Sequence, residues 1–466
     1  MTTNNYQELV KRTARLVKQN KELKGQYEKL RNQYDQLLEE NEEYKNALSK
    51  LKKALPEKQH IEEDIHTLRF NMATVLFANI HGFTKITENK NSQAFMDQLD
   101  SIMYNFDCIV QKYKIEKIKT IGDTLMCAGG IPVKNITNPV EVVMAALEMQ
   151  NLIDRLDTKT NGNKIWDLKM GIHTGAVMAS VFGQKKVTYD IKGDTVNIAT
   201  RMESSADLGK IVISANTYEL IKEFFVCEYF GKMPIKYHGD IEMYVVKGLK
   251  PELSVDNMGK TPNDSFRTRF GLIQFTDIQE IILDKLEKEL PKYLYYHNVK
   301  HTVDVVTEVE LIGWGERVSD EDILLLKTAG LFHDAGHIVA YDNHEYHGTV
   351  MAKDYLPRFN YTQEQINRIC ELIMATKLPP KPKNLLEKIM CDSDLDYLGR
   401  ADFIPVSNTL YKELKEQNKI GTFNDWNKLQ LKFISGHQYF TKTAQSLREV
   451  NKQKQIERIT QLIEPE

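Results

Sequence analysis

Asn197 and Arg201 stand four residues apart in the stretch YDIKGDTVNIATRMES, residues 189–204. On a helix that spacing puts both on one face. An amide beside a guanidinium suits a phosphate ester: the arginine neutralises charge and the asparagine orients a ribose or phosphoryl oxygen. A second set of reactive residues lies further on. Six of the twelve histidines fall between His297 and His347, with aspartates among them. Their order is His297-Asn298-x2-His301-x2-Asp304, His333-Asp334-x2-His337, His344 and His347, then Asp392-x-Asp394. Imidazoles and carboxylates concentrated in this way suit one divalent ion or a pair, with one aspartate bridging. A lone N-x3-R pair is more often a solvated helix face, and a lone histidine more often structural. The surrounding residues carry the functional reading in both places.

The elements that must position the first set can be read locally. The apolar run 177–182 predicts a strand, Gly193-Asp194 a turn, and the residues after it a helix whose start Asp194 or Thr195 can cap. Thr74–Ala78 (TVLFA) predicts another strand, which runs into Asn79-Ile80-His81-Gly82-Phe83-Thr84; a helix follows from about Ser92. Backbone N–H groups at such a strand–turn–helix junction can hold phosphates. Residues 117–130, KIKTIGDTLMCAGG, predict a strand, a turn at Gly122-Asp123 and a returning strand.

The segment GIHTGAVMASVFGQKKVTYDIKGDTVNIATRMES resembles the class III nucleotidyl cyclase domain. That resemblance implies an α+β, ferredoxin-like fold acting as a head-to-tail dimer with sites at its interface. It makes Asn197 and Arg201 the stabilisers of the cyclising transition state and Asp190 a reader of the base. Residues 79–84 resemble the family's first signature, with Asn79 standing where the family has a metal-binding Asp. Asn79, Ile80 and Asp123 are then the metal positions, Gly82, Phe83 and Thr84 the phosphate turn, and Lys119 the second base reader. Adenine offers an acceptor at N1 and a donor at its 6-amino group, so a Lys donor with an Asp acceptor complements it. Lys119 with Asp190 therefore points to ATP. Lys236, in Ile235-Lys236-Tyr237-His238-Gly239-Asp240, resembles the family's late phosphate-binding residue. The implied reaction is attack of the ribose 3′-oxygen on the α-phosphorus of ATP, giving cyclic AMP and pyrophosphate with two Mg²⁺ or Mn²⁺. A neutral amide at position 79 can ligate one hard cation but cannot bridge two with full charge.

Residues 251–267 have the Pro, Gly and Asn of a linker, and the chain beyond reads as nearly all helix. His297 with His301, and His333 with His337, are expected to share helix faces. This part resembles the HD metal-dependent phosphohydrolases, and Tyr296-His297-Asn298-x-x-His301 with Cys391-x-x-Asp394-Leu395 resembles their cyclic-nucleotide phosphodiesterase branch. The resemblance makes His301, His333, Asp334 and Asp394 ligands of one or two divalent ions. It makes His297 the proton donor to the leaving 3′-oxygen, and His337 either a support or a second-metal ligand. Spacing leaves Asp392 open beside Asp394, and Gln430 and Gln438 both stand where such enzymes carry a base-reading glutamine.

Residues 5–54 are highly charged and lack proline. Leu9, Leu16, Leu23, Leu30, Leu37, Tyr44 and Leu51 recur every seven residues, with Asn20 and Asn41 three before two of them. Leu at d with Asn at a predicts a parallel two-stranded coil, roughly 70 Å long at about 1.5 Å per residue. Pro56 ends it. A formal charge of −3 over 466 residues gives no electrostatic case for binding nucleic acid. The five cysteines lack C-x-x-C spacing and suit a reducing compartment. With no apolar run of about 20 residues and no signal peptide, a cytoplasmic protein is expected. The expected chain is multidomain: coiled coil 1–55, connector 56–67, cyclase domain 68–250, linker 251–267 and an all-α HD/PDEase-like domain 268–466. Its partners are ATP, cyclic AMP and a second copy of itself. The alternatives are a nucleotide-binding regulator of an active HD enzyme and a dimeric scaffold.

Overall fold

The computed structural model describes residues 66–82, 92–159, 166–182, 188–235 and 239–464, all within one compact unit. The heptad rod, Phe83, Thr84 and Lys236 lie outside the described residues.

β1 (His66–His81), α1 (Ser92–Lys112), β2 (Glu116–Ile121), β3 (Thr124–Gly129), α2 (Asn138–Lys159) and β4 (Asp167–Phe182) follow a β-α-β-β-α-β course. Their strands lie in the order β2-β3-β1-β4, the ferredoxin-like arrangement. β5 (Thr188–Lys192) pairs with β4. After α3 (Asp194–Ser205), the strands β6 (Lys210–Ser214), β7 (Phe225–Ile235) and β8 (Gly239–Leu249) extend the sheet to eight strands, with α4 (Ala215–Ile221) between β6 and β7. β1 is central, so its TVLFA run is apolar on both faces. Leu76, Ala78 and Ile80 pack with Phe106 of α1 and Met149 of α2, whereas Val75 and Phe77 pack with Met126, Val177 and Ala199 on the α3 side. Gly171 on β4 lets α3 settle this closely: a Cβ there would lie 1.9 Å from the Glu203 amide nitrogen.

The stretch expected to be a linker is anchored at two points rather than buried throughout. Leu253 and Ser254 are buried, and Ser254 bridges to Pro262. α5 (Asp264–Glu289) then crosses from one core into the next without a break. Phe266, Phe270 and Ile273 join the core beneath the sheet, while Phe275, Ile278, Ile282 and Leu286 join the helical core. The Asp277 carboxylate accepts from the Ile136 N–H at 2.9 and 3.2 Å, tying this helix to the loop between β3 and α2.

The remaining chain is helical, as its composition led one to expect. α6 (Val299–Gly315), α7 (Asp320–Phe332), α8 (His344–Tyr355), α9 (Gln363–Ala375) and α10 (Leu385–Asp394) surround the histidine cluster. α11 (Phe403–Glu416), α12 (Phe423–Gly436) and α13 (Lys442–Leu462) close one side. Among the described residues, no helix is long and apolar enough to cross a membrane.

Candidate active sites

In the sheet domain the register sets Asn79 between Thr124 of β3 and Lys169 of β4. The Asn79 amide donates to Thr124 Oγ1 at 2.7 Å and to Asp123 Oδ1 at 3.3 Å. The Ile80 N–H donates to the Asp123 carbonyl at 3.0 Å. Asn79, Ile80 and Asp123, the positions that the resemblance assigned to metal, therefore lie together. Asn79 Oδ1 is buried without a hydrogen-bond partner, so its lone pairs are available to a cation. One carboxylate beside one amide oxygen fits one hard divalent cation better than two.

Lys119 on β2 and Asp190 on β5 also meet: Nζ lies 2.7 Å from Asp190 Oδ1, with both side chains partly exposed. Donor and acceptor thus stand side by side. Asn197 and Arg201 occupy the exposed face of α3. Arg201 donates to the Pro234 carbonyl at 3.3 Å. Among the described residues, no hydrogen bond or ion pair joins Asn197 or Arg201 to Asp123 or Asn79. The helix start differs from expectation. Gly193 is its N-cap, without a side-chain cap bond, and Thr195 Oγ1 instead donates to the Ala176 carbonyl of β4 at 2.6 Å. Thr195 anchors α3 to the sheet rather than capping it. Gly82 ends β1 with a φ of 152°, a backbone that glycine tolerates.

In the helical domain two ligand sets form side by side. His301, His333 and Asp394 make one, and His297, Asp334 and His337 the other; within each set the ligand atoms lie within 4.8 Å. Asp334 links them. Its Oδ2 is 3.2 Å from His333 Nε2 and 3.4 Å from His301 Nε2, and its Oδ1 is 3.9 Å from His337 Nε2. Asp394 Oδ1 is 3.2 Å from His301 Nε2. His344, to which the sequence assigned no separate role, brings Nε2 to 3.4 Å from Asp334 Oδ1. His333 Nδ1–H donates to the Gly330 carbonyl at 2.8 Å, which leaves Nε2 facing the cluster. Both nitrogens of His337 are buried without a partner. These donors fit divalent ions: imidazole nitrogens and carboxylate oxygens aimed at common points.

Burial works to raise the Asp334 and Asp394 carboxyls, but the histidines beside them outweigh it and hold both below the usual carboxylate range. Burial drives His337 down to about 3, so its imidazole is neutral and free to coordinate.

Two expected placements are corrected. His297 is not on the helix of His301. Asn298 caps α6, its side chain accepting from the Lys300 and His301 amides at 2.9 and 3.2 Å, and His297 lies outside the cap. Nor do His333 and His337 share one α-helix. α7 ends at Phe332, and Ala335–Ile338 form a 3-10 turn. Gly336 in that turn admits α8: a Cβ would lie 1.9 Å from the His344 carbonyl oxygen.

Asp392 points elsewhere. Fully buried, it accepts from the amides of Phe440 and Thr441 and from the Thr441 hydroxyl at 2.7–2.9 Å, holding the start of α13. Asp394 is the one in the cluster. Gln430 is buried and accepts from the Ser407 hydroxyl at 2.5 Å, and Gln438 is exposed, so neither lines the cavity beside the cluster. His347, last of the six, meets the Tyr346 ring edge-on rather than joining either set.

Glu413 joins the site without any signal in the local sequence. Its side chain is fully buried on α11. It accepts from His297 Nδ1 at 2.5 Å and from the amides of Tyr296 and His297 at 2.9 and 3.2 Å. Burial works to raise this carboxyl, yet these bonds outweigh it and keep it below the ordinary glutamate range. It lies 116 residues from His297, and no local pattern marks it.

Residues 65–248 match the adenylate and guanylate cyclase catalytic domain, and residues 298–396 match the HD domain. Guanylate cyclase 32E of Drosophila melanogaster is 34% identical over 191 residues, which are 40% of this chain and 16% of that protein. An adenylate cyclase of Mycobacterium bovis is 33% identical over 189 residues, 41% of this chain and 42% of that protein. The chain thus matches less than half the length of these curated relatives. Among solved structures, the adenylyl cyclase CyaB from P. aeruginosa is 30% identical, with 39% of this chain and 95% of that one covered and a TM-score of 0.36.

Proposed function

We propose that this chain, which carries an adenylate/guanylate cyclase catalytic domain over residues 65–248 and an HD domain over residues 298–396, cyclises ATP to cyclic AMP and hydrolyses a phosphodiester at its HD centre. Relatives of the first domain include both adenylate and guanylate cyclases, so the choice of ATP rests on this chain's own residues. The observation that carries it is Lys119 Nζ at 2.7 Å from Asp190 Oδ1. A donor beside an acceptor matches adenine N1 and its 6-amino group; guanine reverses both and leaves each badly paired.

In this reading Asp123, with the Asn79 amide oxygen and Ile80, would hold a divalent cation, which would supply positive charge beside the triphosphate. The chain's own residues do the rest. Lys119 and Asp190 fix the base. Asn197 orients the ribose, and Arg201 neutralises charge developing at the α-phosphorus. Gly82, Phe83 and Thr84 cradle phosphate oxygens, and Lys236 adds charge. Asn197 and Arg201 make no contact with Asp123, which supports a homodimeric arrangement with each site completed across two chains.

At the HD centre, His301, His333, Asp334, Asp394 and His337 would hold one or two divalent ions, which activate water and polarise the phosphoryl group. His297, its Nδ1–H held by the Glu413 carboxylate, would act as the imidazolium: the Nε2 proton passes to the leaving oxygen and leaves the neutral Nδ1–H ring behind. Cyclic AMP is the first candidate substrate.

A second reading has one observation in its favour. With Asn79 in place of a carboxylate, the cyclase domain binds ATP and regulates the HD centre without cyclising. Incubating the full chain with ATP and Mn²⁺, with and without added cyclic AMP, separates the two readings. Pyrophosphate released from ATP, whether or not the cyclic AMP formed with it persists, supports the first. Loss of added cyclic AMP with no pyrophosphate released supports the second.

A further inference from the structure

A chain of buried polar side chains crosses the sheet domain. His173 on β4, Ser214 at the end of β6, Thr217 on α4, Thr174 on β4, Thr74 on β1 and Asn138 at the start of α2 are all buried. Taken in that order, each lies within hydrogen-bond distance of the next, at 2.6, 3.3, 3.1, 2.9 and 2.6 Å. The Asn138 amide then donates to the Asn135 carbonyl at 2.5 Å. That carbonyl shares its peptide group with the Ile136 N–H, which donates to Asp277 of α5 at 2.9 Å. One peptide is thus gripped from both sides: at its oxygen by the sheet domain, at its nitrogen by the helix that enters the helical core.

A hydroxyl has one proton, so the direction of each bond follows from its neighbour. Thr74 donates to Asn138 Oδ1. Thr174 therefore donates to Thr74, Thr217 to Thr174 and Ser214 to Thr217, and His173 gives its Nδ1–H to Ser214. Every donor points toward Asp277, whose carboxylate ends the chain. Bonds aligned in this way polarise one another. A hydroxyl that reverses alone leaves a buried partner unmet, so the four turn together, and the chain has two arrangements. Its far end lies beneath the helix that carries Asn197 and Arg201. A Cβ on Gly175 would come 2.6 Å from Thr195 Oγ1, the anchor of α3, and 3.4 Å from His173 Nε2. Asp277 itself lies beyond the residues that match the cyclase domain. Its helix leans on α7, which leads to His333: a Cβ on Gly271 would lie 2.7 Å from Leu324 Cδ2.

We propose that this chain of bonds carries the helical domain's hold on the sheet domain through to α3, and that Asp277 is a positioning residue for the cyclisation served by Asn197 and Arg201. The inference rests on the cyclase reading given above. Without the Asp277 acceptor the 135–136 peptide is released and the hydroxyls lose their common direction. α3 then no longer holds its side chains where charge develops at the α-phosphorus. Contacts to the base and the triphosphate come from other elements, so turnover falls while ATP binding stays.

The test measures kcat and KM for pyrophosphate release from ATP by the full chain in Mn²⁺. Asp277→Leu, which fills the space without an acceptor, should lower kcat about 10-fold and leave KM within about 2-fold. Asp277→Asn keeps an oxygen for the Ile136 N–H and should recover kcat to within about 3-fold. Thr74→Val cuts the chain midway and should cause a similar loss; the double variant Thr74→Val/Asp277→Leu should be no more than about 2-fold worse than either single one, because both break the same relay. An unchanged kcat in Asp277→Leu, a loss that Asp277→Asn does not recover, or losses that multiply in the double variant overturn the positioning role and leave the cyclase standing. Where Asp277→Leu fails to fold, an unchanged kcat in Thr74→Val overturns it. Absence of pyrophosphate release by the unaltered chain removes the cyclase reading and this inference with it.

Discussion

His297 Nδ1 lies 2.5 Å from Glu413 Oε1, and the Glu413 side chain is wholly buried. A carboxylate that also accepts two backbone amides has little freedom to move. It fixes the imidazole plane and keeps the Nδ1 proton in place, so that Nε2 is the nitrogen offered to a substrate. Glu413→Gln retains the shape and removes the charge. Hydrolysis at the HD centre should fall about 100-fold or more, within the range of general-acid contributions, while bound metal measured by mass spectrometry stays unchanged. Loss of metal in that variant would show that Glu413 shapes the ligand set rather than the proton donor.

Asp394 and Asp392 should separate cleanly. Asp394→Asn removes a carboxylate from the His301–His333 set and should cut metal content by about half or more. Asp392→Asn should leave metal in place and lower stability by about 1–3 kcal/mol, because it weakens buried bonds to Phe440 and Thr441. Metal analysis beside thermal melting distinguishes them, and the reverse outcome would exchange their roles.

The sequence made the cluster's membership legible and its backbone illegible. Spacings of four residues suggested helices through His297–His301 and His333–His337. Yet Asn298 is a strong N-cap residue, and its side chain starts α6 between the first pair. The second pair straddles a 3-10 turn held tight by Gly336 under α8. Asp392 and Asp394 were indistinguishable because spacing is silent on what lies opposite; Thr441 of α13 decides it. Glu413 is beyond any local pattern. The strands around TVLFA and KIKTIGDTLMCAGG were readable because short continuous apolar runs, buried on both faces in TVLFA, are bounded by turn residues. The burial of Leu253 and Ser254 within 251–267 was not, since Pro, Gly and Asn mark an irregular backbone without saying which of its residues are buried.

Glu141 gives the chain a pH dependence. Burial raises its carboxyl from 4.5 to about 7, against hydrogen bonds from Asn135 and Thr137. Asp277, on the helix that joins the two cores, is raised by burial to about 6. A folded pKa above the unfolded one means that folding favours the protonated acid. Its stabilising contribution is full below about pH 4.5 and is lost as pH rises through about 7. The shift corresponds to roughly 3 kcal/mol. Glu141→Gln should therefore melt higher than the unaltered chain at pH 8, with little difference at pH 5. Equal melting temperatures at pH 8 would contradict this.

Asn79→Asp should raise the rate of cyclisation by about 10-fold or more, most visibly in Mg²⁺, which demands stricter oxygen geometry than Mn²⁺. The motive is the single carboxylate, Asp123, beside the unpartnered Asn79 oxygen. A measurable rate that does not change would mean that another group supplies the missing charge.

The central claim is that an adenine-reading pair serves a working cyclase. Mass-spectrometric quantification of cyclic AMP and cyclic GMP, formed by the purified full chain from equimolar ATP and GTP in Mn²⁺, tests it most directly. A phosphodiesterase-dead background such as His297→Ala keeps the products from being consumed. The account predicts cyclic AMP in at least about 10-fold excess, with the ratio moving toward cyclic GMP when Lys119 and Asp190 are changed to Glu and Cys. Equal amounts of both products, an excess of cyclic GMP, or no cyclic nucleotide at all would contradict it.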